Sequence, residues 1–217
     1  IVGKWHLGQR PMFLPGARGF DTYLGIPYSD DMGSARRTPC PGQKACAADG
    51  RSRSRDDVVP ASTYEYTVED NVHGTLDNLA DLNSRDPADY TPLVFQSGGT
   101  TSTPGATTKT GGYAKNTTIL EQPLDFTTLS DKYNAFALDF IERSKADPFF
   151  LYMPFSHVHT TAGNQPQKQY AGCDFQNSTA RGAFGDALAE VDHVIGNVRA
   201  KLEELGIVDA TIPEPLG

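Results

Sequence analysis

Hydrophobic positions in the second half of the chain recur at helical spacing in two segments. Ahead of the Asp147-Pro148 pair, apolar side chains return at steps of three and four: Leu129, Tyr133, Phe136, Phe140 and Ile141. This spacing predicts an α-helix that ends before the proline. A second stripe predicts another helix that ends at Gly206. Its members are Phe184, Leu188, Val191, Ile195, Val198, Leu202 and Leu205.

A continuous apolar run, "FFLYMPF" at 149–155, lies between the two predicted helices. An uninterrupted run of this length is typical of a strand buried on both faces of a parallel sheet. The first residues of the chain predict a short strand as well, followed by ordered loop structure up to residue 33. Alternating strands and helices indicate an α/β domain with a largely parallel sheet.

The segment from about 41 to 115 is polar and rich in Gly, Ser, Thr and Pro. We expect a long surface insertion, partly disordered, with a short strand at "PLVFQ". After Gly206 the chain contains Pro213 and Pro215, which are poor residues for a central strand. We therefore expect both ends of the chain to be cut from a larger domain.

Composition excludes some classes of function. The net charge of -8 over 217 residues argues against nonspecific nucleic-acid binding, which needs a basic face. No apolar run approaches the length of a membrane span. A small anionic substrate held by a local cluster of basic side chains stays possible.

Cysteines and sequons bear on the compartment. Cys40 and Cys46 lie in one Pro/Gly-rich loop, where they either close a small disulfide loop or are two free thiols. Cys173 is left over, either buried or paired elsewhere. Asn116 and Asn177 each begin a glycosylation sequon. Together these features favour the secretory pathway.

Lys4 and His6 are the first candidates for chemistry. They are two residues apart at the end of a predicted strand, where alternate side chains point to the same side. A lysine and a histidine aimed at one point suit an anion. Ser29, followed by Asp30 and Asp31, forms a second cluster, which also fits a turn and helix cap.

His157 and His159 form a third cluster directly after the predicted strand at 149–155. Residues just past the carboxyl end of a parallel strand line the usual crevice of an α/β sheet. Two loop histidines hydrogen-bonded locally give the same pattern, and the spacing alone is a weak metal signal. Combined with Lys4 and Ser29, the histidines suit a site for an oxyanion.

The stretch "GKWHLG" followed by "RGFDTYLGIPYSDDMG" resembles the sulfatase family, and within it the arylsulfatase A type. The similarity continues through "DPFFLYMPFSHVHTT" and "GAFGDALAEVDHVIGNVRAKLEELGI", so it covers 1 to about 40 and about 115 to 208. It implies that 1–217 is a partial sulfatase catalytic domain. The implied fold is a partial α/β/α sandwich of the alkaline-phosphatase-like type, truncated at both ends.

The resemblance also implies roles for single residues. Lys4 would neutralise charge on the sulfate and steady a formylglycine nucleophile. His6 would take a proton from that group when the sulfo-enzyme intermediate breaks down. His159 would contact the sulfate and the ester oxygen and help the leaving group depart. Ser29 would support the other groups, and His157 would lie behind them, out of contact with substrate.

The chain also departs from the family pattern. None of Cys40, Cys46 and Cys173 begins the Cys-x-Pro-x-Arg motif at which formylglycine is made. By the likeness, the family's metal-binding acidic residues would lie upstream of Ile1 and downstream of Gly206. We therefore expect Ca²⁺ and formylglycine in the complete protein, outside this chain, and we assign no metal ligand here. The fragment alone should be inactive.

The functional hypothesis is a fragment of a lysosomal or secreted arylsulfatase-type hydrolase. The complete enzyme would cleave sulfate monoesters of a small molecule, a lipid or a glycan. One alternative is a catalytically inactive sulfatase-like module that binds sulfated glycans. The other is a phosphodiesterase of the same superfamily, which would need a threonine or serine nucleophile and two metals.

Overall fold

A computed structural model describes 1–9, 13–33, 35, 40, 91–97, 117–161 and 169–213 of the chain. Cys46, Asn116 and most of the predicted insertion lie outside the described residues. Three strands and two α-helices make up the regular structure of the described part. They are β1 (Thr22–Gly25), β2 (Leu93–Ser97), β3 (Thr117–Glu121), α1 (Leu129–Ser144) and α2 (Ala183–Glu204).

The regular sheet is antiparallel, in the order β1-β2-β3. Its middle strand, β2, confirms the strand predicted at "PLVFQ". Leu93 and Val94 are almost fully buried, and Gln96 is buried with them. This part of the predicted surface insertion therefore lies in the core of the described fold.

Parallel pairing is found at the first residues of the chain. The Val2 and Lys4 N–H groups donate to the carbonyls of Tyr152 (3.0 Å) and Pro154 (2.7 Å), while the Gly3 N–H donates to Leu24 of β1 (2.9 Å). Val2 and Leu24 form a parallel bridge, and the acceptors advance from Tyr152 to Pro154 as the donors advance from Val2 to Lys4, so both neighbours run parallel to this segment. Residues 1–6 thus join β1 to the segment at 152–154. The prediction of a largely parallel sheet is wrong for the regular strands and holds only for these extended segments.

The apolar run at 149–155 also differs from its prediction. It is not a regular strand, and it is only partly buried, with Phe150 73% exposed. Within the described residues, its backbone pairs on one edge only, with 2–4. An apolar run predicts burial only when neighbours cover both faces, and in the part of the chain described they do not.

Two glycines let these segments approach closely. A Cβ on Gly25 would lie 1.7 Å from the Gly3 carbonyl oxygen, and one on Gly3 would lie 2.0 Å from that of Pro154. Both distances are far below van der Waals contact, so only glycine fits. These contacts bring the residues after Gly3 next to those that follow β1.

The helices match their predicted positions. The α1 helix ends at Ser144, ahead of Pro148, and buries Leu129, Tyr133, Ala137 and Ile141 at steps of four. The α2 helix ends just before Gly206, whose φ of +69° is the left-handed conformation favoured after a helix. Neither helix of the described part is long and apolar enough to cross a membrane.

The apolar stripe that predicted α2 is only in part the buried face of the helix. Phe184, Leu188 and Ile195 are about half exposed. The face that packs inward is rotated and carries two carboxylates; it consists of Gly185, Asp186, Ala187, Glu190, Val194 and Leu202. Backbone N–H groups in the loop before the helix donate hydrogen bonds to these carboxylates. Apolar periodicity does not reveal such contacts.

Cys40 forms a disulfide with Cys173, which lies 133 residues further along the chain. The pairing of Cys40 with Cys46 is therefore wrong. The bond ties the loop after β1 to the loop before α2. Sequence spacing favoured the nearer cysteine because it says nothing about which loops the fold brings together.

Candidate functional site

Lys4 and Ser29 meet where the first residues run beside β1. The Lys4 ammonium donates a hydrogen bond to the Ser29 hydroxyl at 3.1 Å. Ser29 is buried, and the lysine side chain is 16% exposed. Two of the residues predicted from separate clusters thus share one site. The lysine keeps one side open to solvent, where an anion could reach it.

Asp30 lies beneath this pair and is completely buried. Its Oδ1 atom is 3.9 Å from the Lys4 ammonium, and its Oδ2 atom accepts a hydrogen bond from the Tyr170 hydroxyl at 3.0 Å. Burial raises the pKa of Asp30 to about 6, against the opposing effects of the Lys4 charge and the Tyr170 hydrogen bond. A backbone turn is also present, because Met32 N–H donates to the Ser29 carbonyl. The cluster is therefore both a turn and a charged site.

His159 lies within electrostatic reach of the same cluster. Burial acts to raise the pKa of exposed Asp31, but a hydrogen bond with Ser29 and the nearby charges of His159 and Lys4 lower it overall. Lys4 and His159 therefore both lower the pKa of the Asp31 carboxylate. The Nδ1 atom of His159 is 2.7 Å from the Thr160 carbonyl oxygen, so it carries the proton in the neutral ring. Nε2 is then the nitrogen available to a ligand.

His6 adopts an unusual backbone conformation. Its φ is +53°, so the extended segment ends before it, and strand alternation does not set the direction of its side chain. The residue is exposed, and its N–H donates to the Pro27 carbonyl at 3.2 Å. A non-glycine residue in the left-handed region is uncommon, and such residues concentrate at functional sites. Convergence of His6 on the anion stays a prediction.

His157 turns inward, although His159 is exposed. Its side chain is fully buried, and its Nε2 atom lies 2.8 Å from Glu190 Oε2 and 3.3 Å from the Ser130 hydroxyl. The imidazole also packs on the ring of Tyr170, with centroids 4.3 Å apart. The two histidines of the motif therefore have different surroundings.

Tyr170, Glu190 and Ser130 are polar residues of this region that the sequence analysis did not single out, and Asp30 was given no role of its own beside Ser29. Tyr170 lies in a polar loop without periodicity. For Glu190 there was one usable signal, its helical spacing from Ala187 and Val194, both of which are buried.

The described residues contain no group of three or more His, Cys, Asp or Glu side chains able to hold a metal ion. A hard cation such as Ca²⁺ requires several oxygen ligands, so these residues do not fit one. Asn177 is exposed, as a glycosylated asparagine must be, and its modification stays a prediction.

The sequence model of the family described as Sulfatase matches residues 1–212. The chain therefore belongs to the sulfatase family. It is 28% identical to Arylsulfatase G of Rattus norvegicus over 213 residues, which cover 94% of this chain and 30% of the relative. It is also 28% identical to Arylsulfatase A of Homo sapiens over 216 residues, 98% of this chain and 31% of the relative. The chain thus spans about a third of the length of these relatives.

A solved structure shows the same fold. The crystal structure of the PsFucS1 sulfatase from Pseudoalteromonas sp. superposes with a TM-score of 0.57 and 18% identity, covering 94% of this chain and 32% of that chain. This confirms the expected fold class, a partial α/β fold of the alkaline-phosphatase-like sulfatase type.

Proposed function

We propose that this chain is the part of an arylsulfatase-type sulfuric ester hydrolase that holds the sulfate group of the substrate. The observation that carries the proposal is the Lys4 ammonium, which donates to the Ser29 hydroxyl and lies 3.9 Å from an oxygen of buried Asp30. A partly buried cation with one open side is suited to a small dianionic or monoanionic group. Membership of the sulfatase family makes sulfate the expected anion.

Lys4 binds the sulfate oxygens as a point charge. Because its side chain is largely buried, little water screens the attraction between the ammonium and the sulfate. Ser29 holds the ammonium by accepting its hydrogen bond. Asp30 keeps the lysine in place from the buried side, opposite the open face. Together these three residues fix one positive charge before the substrate arrives, so no reorganisation is needed during the reaction.

His159 acts on the ester oxygen. Its Nδ1–H is held by the Thr160 carbonyl, so Nε2 is the atom that gives a proton to the leaving group when the ring is charged. His6 would accept a proton from the nucleophilic group when sulfate leaves it. Both roles follow the family likeness.

In the complete enzyme, formylglycine would supply the hydroxyl nucleophile and Ca²⁺ would compensate the negative charge of the sulfate. By the family likeness both would lie outside this chain, whose three cysteines lack the formylglycine motif. The 217 residues alone are therefore expected to bind sulfate esters without turnover.

A secretory-pathway location, lysosomal or extracellular, is supported by the Cys40–Cys173 disulfide, because such bonds persist in oxidising compartments. The substrate is a sulfated small molecule, lipid or glycan. A steryl-sulfatase of Rattus norvegicus is 28% identical over 98% of this chain and 36% of the relative. Its name and those of the arylsulfatases support the small-molecule and lipid part of that range.

Lys4→Ala and His159→Ala in the complete protein test the proposal. Lys4→Ala should lower turnover by about a hundredfold or more on both a nitrophenyl sulfate and a sugar sulfate, since it removes charge stabilisation. His159→Ala should reduce turnover of the sugar sulfate more strongly, because its poor leaving group needs a proton. Lys145→Ala is the matched control, since Lys145 pairs with Glu142 on the exposed surface.

Near-wild-type turnover by Lys4→Ala would refute the sulfate site. Equal losses by His159→Ala on both esters would remove its role as proton donor. Binding of sulfated glycans without hydrolysis by the wild-type protein would favour the inactive module, and hydrolysis of phosphodiesters alone would favour the phosphodiesterase.

A further inference from the structure

Glu190 is a buried carboxylate in the middle of α2, only 3% exposed. Its Oε1 atom accepts a hydrogen bond from the Gly172 N–H at 2.8 Å, and its Oε2 atom lies 2.8 Å from His157 Nε2. A Cβ on Gly172 would lie 2.6 Å from Oε1, so the loop approaches the carboxylate closely only because residue 172 is glycine. The two oxygens thus reach two different segments of chain.

From Glu190 a series of contacts leads to the sulfate site. His157 packs on the ring of Tyr170, the Tyr170 hydroxyl donates to Asp30, and Asp30 lies 3.9 Å from the Lys4 ammonium. The loop that begins at His157 also carries His159, whose N–H donates to the Ser156 carbonyl at 3.4 Å. The surroundings of His157 therefore border both predicted cationic groups of the site.

A buried contact between a carboxylate and an imidazole contributes little to stability by itself. Removing a carboxylate and an imidazole from water is costly, and packed apolar side chains of similar size commonly serve as well. The His157 ring is, however, enclosed by the Glu190 carboxylate, the Ser130 hydroxyl and the Tyr170 ring, and contacts on several sides hold it in one orientation. The arrangement is therefore better suited to fixing the geometry of the loop than to strengthening the core.

We propose that Glu190 is a positioning residue for sulfate ester hydrolysis, which rests on the function proposed above. It holds the His157 ring, and the ring holds the loop that presents His159 to the ester oxygen. Glu190 and His157 act as one unit and do not touch substrate. Their loss misplaces His159 while Lys4 still binds the sulfate.

Glu190→Gln tests this in the complete protein, because glutamine keeps the shape and the acceptor for Gly172 but loses the charge. We expect kcat on a sugar sulfate to fall by about tenfold or more with KM little changed, and kcat on a nitrophenyl sulfate to fall less. Glu203→Gln is the matched control on the same helix, since Glu203 is exposed and pairs with Arg199 at 2.9 Å.

His157→Gln and the double variant complete a mutant cycle. If the two residues act together, the double variant should lose less than about twofold beyond His157→Gln alone. If Glu190→Gln does not fold, His157→Gln can be compared with the double variant, in which both partners are neutral amides. Equal kcat values in these two variants then show that the residues act together.

Unchanged kcat per folded molecule in Glu190→Gln, with only a lower melting temperature, would show a purely structural role. If the losses of kcat in Glu190→Gln and His157→Gln multiply in the double variant, the two residues act independently. That result would also refute the proposal. Absence of sulfate ester hydrolysis by the wild-type protein would instead refute the proposed function, so the two failures are distinguishable.

Discussion

Replacing Asp30 by asparagine should make the protein more stable at neutral pH, although the change removes a partner of Lys4. The carboxyl is fully buried, and burial raises its pKa from 3.8 to about 6. The folded protein therefore holds the Asp30 proton more tightly than the unfolded chain does. The contribution of Asp30 to the free energy of unfolding is largest below pH 3.8 and is lost as the pH rises through about 6.

The size of the effect follows from the same two values. A difference of about two in pKa corresponds to about 3 kcal/mol between the fully protonated and fully ionised limits. Asparagine is neutral at every pH, so its burial carries no free-energy cost of ionisation. The stability of Asp30→Asn relative to wild type should therefore increase by up to about 3 kcal/mol between about pH 4 and about pH 8.

Urea unfolding of purified wild-type and variant protein at several pH values and constant ionic strength measures this difference. The pH dependence matters more than the absolute offset, because asparagine and a protonated carboxyl also differ in hydrogen bonding. Asp139→Asn serves as the control, since Asp139 pairs with Arg143 on the exposed surface. Its effect should stay below about 0.5 kcal/mol at every pH.

A stability difference between Asp30→Asn and wild type that does not change with pH would refute the reasoning, because Asp30 would then titrate alike in both states. A further check uses Lys4→Met. The Lys4 charge is the largest influence that lowers the pKa of Asp30, so its removal should extend the loss of stability to higher pH.

Two other predictions concern the framework of the site. Gly25→Ala should prevent folding, because the added Cβ would lie 1.7 Å from the Gly3 carbonyl oxygen. Circular dichroism of the purified variant checks this. Gly196→Ala is the control, since a Cβ there meets nothing within 4 Å. The Cys40–Cys173 bond closes a long loop, so reductant should lower the free energy of unfolding by about 5 kcal/mol in wild type. A Cys40→Ser/Cys173→Ser variant should show no such response, and equal sensitivity of both proteins would contradict the assigned pairing.

Local patterns in the sequence were sufficient for the two helices and β2, but not for β1, which lies in the segment predicted as loop, nor for β3, which was not predicted. Steps of three and four placed α1, with its end ahead of Pro148, and placed α2, with its end at Gly206. The short apolar stretch around Val94 likewise predicted β2. These features depend on backbone geometry and on side chains a few residues apart, which the order of amino acids states directly.

The candidate site was predicted in its types of residue but not in its connections. Lys4 and Ser29 were each identified from their neighbours in sequence, and their hydrogen bond depends on the parallel contact of 1–6 with β1. Whether Asp30 was a turn residue or a buried partner of Lys4 could not be decided locally. Burial, which sets its pKa, is a property of everything packed around it.

Contacts between distant segments were decided by the tertiary structure alone. The partner of Cys40, the inward face of α2 and the approach of Glu190 to His157 each join parts of the chain that no local pattern relates. Apolar periodicity even favoured the wrong face of α2, because it counts hydrophobic side chains and cannot register a carboxylate whose partners come from another loop. The sequence by itself thus determined the two helices, β2 and the chemistry available, and packing decided the other strands and which groups meet.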